Sequence, residues 1–172
     1  QTPHLLTDQM ERFKYTARYR AKYHGGIAHA LGQLAVDPAK ASSLLIFDGL
    51  RGLNEVQYAT TYFPKARFVV LDAPDIVRLN RLLKRGDVFD AKPIHTSLLG
   101  KNLIAALMST PNIEAVFNEE ELRQIAKVAR AARLSTDTVL KTVAVIVEER
   151  RNYDPHAARV HLTHTLSSKQ VL

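Results

Sequence analysis

Cysteine is absent from this chain of 172 residues, so it has no disulfide framework and no cysteine metal site. Long apolar runs are absent too, and every run falls far below the roughly 20 residues a helix needs to cross a bilayer. The N-terminal stretch QTPHLLTDQMERFKY lacks the apolar core of a signal peptide. These absences make a cytoplasmic location, with no membrane partner, the expectation. There is no G-x-S-x-G, so neither a serine nor a cysteine triad is indicated. No internal repeat and no low-complexity segment is visible. What is present has the balance of a globular protein, 46% hydrophobic and 24% charged. The length suits one domain, with room for an inserted subdomain, and can bury a core without staples. Acids are scarce beside bases: 17 Asp and Glu against 24 Lys and Arg leave a net charge of +7. Such a balance suits nucleic acid, phosphorylated small molecules or an anionic surface, and does not choose among them.

Hydrophobic periodicity places the elements. Thr7 to Leu34 reads as two helices broken at Gly25-Gly26, with Asp8 and Glu11 as a capping box. Ser43 to Asp48 and Arg67 to Asp72 are short, continuously apolar runs. That pattern predicts strands covered on both faces. Leu53 to Phe63 predicts a helix ended by Pro64, and Pro74 to Lys84 another, closed by Gly86. Two buried strands joined by a helix predict a parallel pair and an α/β layered fold. Beyond Arg85 the polarity is mixed, and Leu98 to Met108 reads as a helix. Asn118 to Arg133 predicts a helix capped by Asn118 and Glu121, and Ser135 to Arg151 a further one. The stretch RVHLTHTLSSKQVL is ambiguous.

The stretch SLLIFDGLRGLNEV, residues 43 to 56, carries the chemistry. Ligands of open parallel sheets sit beyond the carboxyl ends of the strands. An aspartate at such an end, Asp48, can reach Mg²⁺ directly or through water. Gly49 lets the backbone approach a ligand closely, and Arg51 can grip phosphate oxygens in a fork. The alternative is a plain Asp-Gly turn. On the helix that follows the second apolar run, Arg78, Arg81 and Arg85 recur at i, i+3, i+7 and share one face. That row either meets phosphates or only complements the helix dipole in solvent.

Together these two segments resemble the nucleoside monophosphate kinase branch of the P-loop NTPases. Asp48-Gly49-Leu50-Arg51 is similar to the adenylate kinase motif D-G-F-P-R, and Asp72-Ala73-Pro74 with Arg81 and Arg85 to its D-x-P-x-x-x-x-x-R-x-x-x-R. The closer resemblance is to archaeal dephospho-coenzyme A kinase-like proteins, whose D-G-I-R is followed by a glutamate, here Glu55. Thr7 to Arg12 resembles the acceptor-binding segment. The likeness covers roughly residues 5 to 90.

The resemblance implies a three-layer parallel sheet of the P-loop nucleotide kinase type, with a helical insertion after the fourth helix. It implies a kinase-like core over 1–85, a lid-like insertion over 86–151 and a return to the core over 152–172. It implies ATP and Mg²⁺ as cofactors and a small-molecule phosphoryl acceptor as partner. Asp48 would hold the metal, and Asp48, Arg51 and Arg85 would be catalytic. Arg81 would lie on adenine and Arg85 on the ATP phosphates. Thr7, Arg12, Gly49 and Arg51 would hold the acceptor. The G-x-x-x-x-G-K-[ST] loop does not occur within these residues. The resemblance therefore places a phosphate-loop strand before Gln1, and KQVL at 169–172 resembles the start of a final strand. The alternative functions are a nucleic-acid-binding or regulatory protein using the basic surface, or a slow ATPase switch with no acceptor.

Three further patterns have plain structural readings. His156, His161 and His164 match no zinc spacing and read as a surface cluster. Arg123, Lys127 and Arg130 make a basic face, on a helix-turn-helix or on a solvated helical hairpin. Tyr15, Tyr19 and Tyr23, interleaved with bases, either stack on nucleobases or pack against the core.

Overall fold

The computed structural model describes residues 9–37, 39–40, 44–84, 103–167 and 170–171. Its elements are α1 (Gln9–Lys22), α2 (Gly26–Gly32), α3 (Leu53–Tyr62), α4 (Asp75–Lys84), α5 (Leu103–Met108), a 3-10 turn (Ile113–Ala115), α6 (Glu119–Ala131), α7 (Thr136–Asn152) and α8 (Pro155–Thr165). Among the described residues no helix is long and apolar enough to cross a membrane.

Among the described residues the expected three-layer parallel sheet is not there. The described residues form helices and no strand, and Phe68 and Val171 make an isolated parallel bridge. The apolar runs that predicted strands are irregular chain instead over residues 44–48 and, apart from the Phe68 bridge, over Arg67 to Asp72. Leu44, Leu45 and Ile46 are 69%, 68% and 85% exposed, and Val69 and Leu71 are 65% and 89% exposed. A continuous apolar run shows that a segment would gain by burial, but a ladder also needs a neighbour to take its N–H and C=O groups. Phe68 has such a neighbour, its N–H donating to the Gln170 carbonyl at 2.6 Å.

The helix ends follow local chemistry. Asn118 Oδ1 accepts from the Glu121 N–H and a Glu121 carboxylate oxygen accepts from the Asn118 N–H, each at 2.9 Å, which closes the expected capping box. Asp154 caps α8 by accepting from the Ala157 N–H at 2.8 Å, with Pro155 in the first turn where its missing N–H costs nothing. This resolves the first half of RVHLTHTLSSKQVL, Arg159 to Thr165, as helix. Ser135 Oγ accepts from the Thr138 N–H at 3.1 Å ahead of α7. Asp8, the expected cap of α1, and Gly86, the expected stop of α4, lie outside the described residues.

The chain divides into two compact units. The flanking unit is Arg12–Leu71 with Asn152–Leu172, and the mid-chain unit is Asp72–Arg151 with Gln1–Glu11. In the flanking unit α3 packs against both α2 and α8. Its core holds Ala28, Val56, Ala59, Phe68, Ala158 and Leu162. The small residues let three short helices approach closely, since interiors pack without voids. In the mid-chain unit α6 packs against α4 and α5. One core cluster draws Leu79 from α4, Leu107 from α5, Phe117 from the loop before α6, Ile125 from α6 and Val139, Val143 and Ile146 from α7. All seven are at most 2% exposed. At roughly 1.5–3 kcal/mol for each large side chain removed from water, this cluster is the main support of that unit.

Candidate functional site

The loop Asp48–Arg51 enters α3. Asp48 and Arg51 are exposed, while Gly49 and Leu50 are half-buried. Gly49 has φ 154°, in the range that favours glycine. Gly52 is the N-cap of α3 and has no side chain with which to cap it. Glu55 in the first turn instead holds the chain just ahead of the N-cap, its Oε2 accepting from the Arg51 N–H at 3.0 Å. A carboxylate there also suits the positive end of the helix dipole.

Glu55 has a second partner from another element. Its Oε1 accepts from the Ile27 N–H at 3.3 Å, at the start of α2. Glu55 is 3% exposed. Gly26 makes the approach possible. Its φ is +50°, and a Cβ built there would stand 2.6 Å from Glu55 Oε1. The resemblance read Glu55 only as part of a motif, and this tether escaped the sequence. The available signal was G-L-N-E, a glutamate three residues past a side-chain-free N-cap.

An aromatic cluster occupies the same unit. Tyr23 stacks on His29 with centroids 4.4 Å apart, and Tyr58 stacks on Tyr62 at 4.1 Å. His29 meets Tyr58 edge-on at 5.7 Å, and the Tyr19 hydroxyl lies 2.9 Å from His29 Nδ1. Arg20 donates to the Tyr153 hydroxyl at 2.7 Å and to Asn152 Oδ1 at 2.9 Å, with its guanidinium 4.6 Å from the Tyr153 ring centroid. Tyr19 and Tyr23 therefore pack against other residues, and Tyr15 is the exposed member of the tyrosine series.

In the mid-chain unit the arginine row divides. Arg78 does not stand free for phosphates. It donates to Asp75 Oδ1 at 2.9 Å and to Glu149, while Arg150 grips Asp75 through two bonds of 2.6 and 2.9 Å. Burial alone would lower the Arg78 pKa, but Glu149 and Asp75 outweigh it and raise the pKa above its ordinary value. Arg78 is thus charged throughout the working pH range. Arg81 is exposed on α4.

Of the residues expected to form the site, Asp48, Gly49 and Arg51 come together because they are contiguous. Arg12 is half-buried on α1, where its carbonyl accepts from Thr16 Oγ1 at 3.0 Å. Thr7 and Arg85 lie outside the described residues. His161 Nε2 lies 3.2 Å from Thr60 Oγ1, while His156 and His164 are exposed. Among the described residues no group of three His, Asp or Glu is placed to hold a metal. On α6 Arg123 is paired with Glu119 at 2.8 Å, and Lys127 and Arg130 are exposed. In comparisons with known proteins, no family model, no curated protein and no solved structure matches this chain.

Proposed function

We propose that the chain binds a phosphorylated nucleotide with Mg²⁺ at the Asp48–Arg51 loop and acts in phosphoryl transfer to a small-molecule acceptor. One observation carries the reading: the main chain at Arg51 is held by a buried carboxylate while the Asp48 and Arg51 side chains are exposed. A fixed backbone with outward charges of both signs suits a metal–phosphate ligand. Mg²⁺ commonly takes one or two protein carboxylates and fills its other positions with water and phosphate oxygens. A single exposed aspartate therefore fits the ion, and a neighbouring guanidinium fits the phosphate in fork geometry. Asp48 would hold the ion and Arg51 a phosphate. When bound, Mg²⁺ supplies neutralisation of phosphate charge. The chain supplies positioning, the main protein contribution to this class of reaction. The reading does not call on a parallel sheet.

Titration of the full chain with ATP, with and without Mg²⁺, tests it by calorimetry. Saturable binding that strengthens with Mg²⁺ is expected. Arg51→Ala is expected to weaken it about 10- to 100-fold, the scale of a lost charge-assisted bond. Asp48→Asn is expected to abolish the Mg²⁺ dependence with little effect on metal-free binding. Binding indifferent to both substitutions would overturn the assignment.

A second reading, single-stranded nucleic acid, is favoured by α1. Lys14, Arg18, Lys22 and Tyr15 are exposed there, with Arg18 5.9 Å from the Tyr15 ring centroid and Lys22 5.1 Å from that of Tyr23. Cations beside rings suit a strand that offers phosphates and base faces alternately. Anisotropy of a labelled oligonucleotide between 50 and 200 mM salt measures this. If α1 is the contact, the triple variant Lys14→Ala, Arg18→Ala, Lys22→Ala flattens the log–log salt slope by about 2, at roughly 0.7 per phosphate. An unchanged slope rejects α1 as the binding surface.

A further inference from the structure

Glu55 is a buried carboxylate that direct ligand contact leaves unused. Its two oxygens receive two main-chain amides from two different elements: Arg51 in the loop before α3, and Ile27 at the start of α2. Ile27 is 28 residues away in sequence, so this is more than a local helix cap. A cap alone could be supplied by serine or threonine at the Gly52 position, with no buried charge. Burying a carboxylate is costly unless its acceptor capacity is used. Here two donors converge, and a carboxylate offers two acceptor oxygens and no donor. A glutamine in its place must turn an NH₂ group toward one of the amides and lose that bond.

We infer that Glu55 is a positioning residue. It locks the Asp48–Arg51 main chain to the Gly25-Gly26 turn, so that the Asp48 carboxylate and the Arg51 guanidinium address one metal–phosphate group. The inference rests on the phosphate reading given above. The lock acts only through the backbone, because Glu55 is buried while the two side chains it sets are exposed. Loss of the lock leaves both ligand-contacting side chains present but no longer held in register. A misplacement of about 1 Å is enough to cost roughly 100-fold in a catalysed step.

The test uses the full chain with Glu55→Gln and Glu55→Asp, read by amide hydrogen exchange and by calorimetric titration with Mg·ATP. In Glu55→Gln, exchange at Arg51 or Ile27 is expected to speed up by about 10-fold or more, the scale of one charge-assisted hydrogen bond. The Kd for Mg·ATP is expected to rise about 10-fold, with most of the Mg²⁺ enhancement lost. Glu55→Asp keeps two acceptor oxygens and is expected to recover part of both the protection and the Mg²⁺ enhancement. It also keeps the test open should Glu55→Gln fail to fold. Faster exchange with an unchanged Kd and Mg²⁺ enhancement would make Glu55 a structural tether only and overturn the inference. Unchanged exchange at both amides would overturn the lock itself. If the unaltered chain does not bind Mg·ATP, the phosphate reading fails and the positioning role goes with it. That outcome is told apart from the others because it appears before any substitution is made.

Discussion

Asp75→Ala is expected to lower the stability of the mid-chain unit by about 2–3 kcal/mol, a fall in melting temperature of roughly 10–20 °C. Asp75 accepts three bonds, one from Arg78 and two from Arg150, and its side chain is 13% exposed. Its removal takes a carboxylate from two guanidinium groups at once, while Glu149 stays bonded to Arg78. Fully buried pairs cost about 3–5 kcal/mol when one partner is removed, while exposed pairs cost under about 1. The arginines here are 33% and 31% exposed, so water reclaims part of the loss and the expected value falls between. Asp75 also sits in the first turn of α4, where a negative charge complements the helix dipole. Asp75→Asn keeps an acceptor and should cost less than Asp75→Ala. Arg81→Ala is the matched control on the same helix, expected within about 0.5 kcal/mol because the side chain is exposed. Urea unfolding followed by far-UV dichroism measures all three. Equal stability of Asp75→Ala and Arg81→Ala would mean that the network contributes nothing and that Arg78 is free to serve a ligand.

That network shows what the sequence could not convey. The i, i+3, i+7 row placed Arg78, Arg81 and Arg85 on one face, and the helix that carries Arg78 and Arg81 is there. The partners that decide Arg78's role lie 71 residues along the chain in Glu149 and, through Asp75, 75 residues along in Arg150. Local spacing gives a direction for a side chain, not its counterpart. Helix ends were legible for the opposite reason. The Asn118–Glu121 box closes over three residues, so the sequence contains both halves of the interaction. The apolar runs before Asp48 and Asp72 were misread because continuous hydrophobicity states a need for burial without supplying a ladder partner. Ile46, read as a buried strand residue, is 85% exposed. Within the candidate site, the contiguous Asp48–Arg51 loop was visible in the sequence, while the Glu55 tether to Ile27 needed the fold.

Gly26→Ala is expected to destabilise the flanking unit by about 3 kcal/mol, and by two separable routes. The first is backbone strain: φ is +50°, and an L-residue there costs roughly 1–2 kcal/mol. The second is contact. The new Cβ would stand 2.6 Å from Glu55 Oε1 and 3.0 Å from Glu55 Cγ, with Arg20 Cγ at 3.1 Å. A free glutamate tip would swing aside cheaply, but this one is held by the Ile27 and Arg51 amides. To move it is to break at least one of those bonds, at about 1.5–3 kcal/mol for a bond to a charged group. A double-mutant cycle separates the routes, since residues in contact show non-additive costs. In a Glu55→Gln background one bond is already lost and the side chain is freer to yield, so Gly26→Ala should there cost only its strain, about 1–2 kcal/mol. Denaturant unfolding of the four chains measures the difference. If the cost of Gly26→Ala were the same in both backgrounds, the glycine would serve the turn alone, and the fit between Gly26 and Glu55 would be incidental. A cost that shrinks in the Glu55→Gln background would tie the loop that carries Asp48 and Arg51 to the glycine turn at the start of α2. The stability of the unit and the setting of its exposed Asp48 and Arg51 charges would then depend on the same two hydrogen bonds.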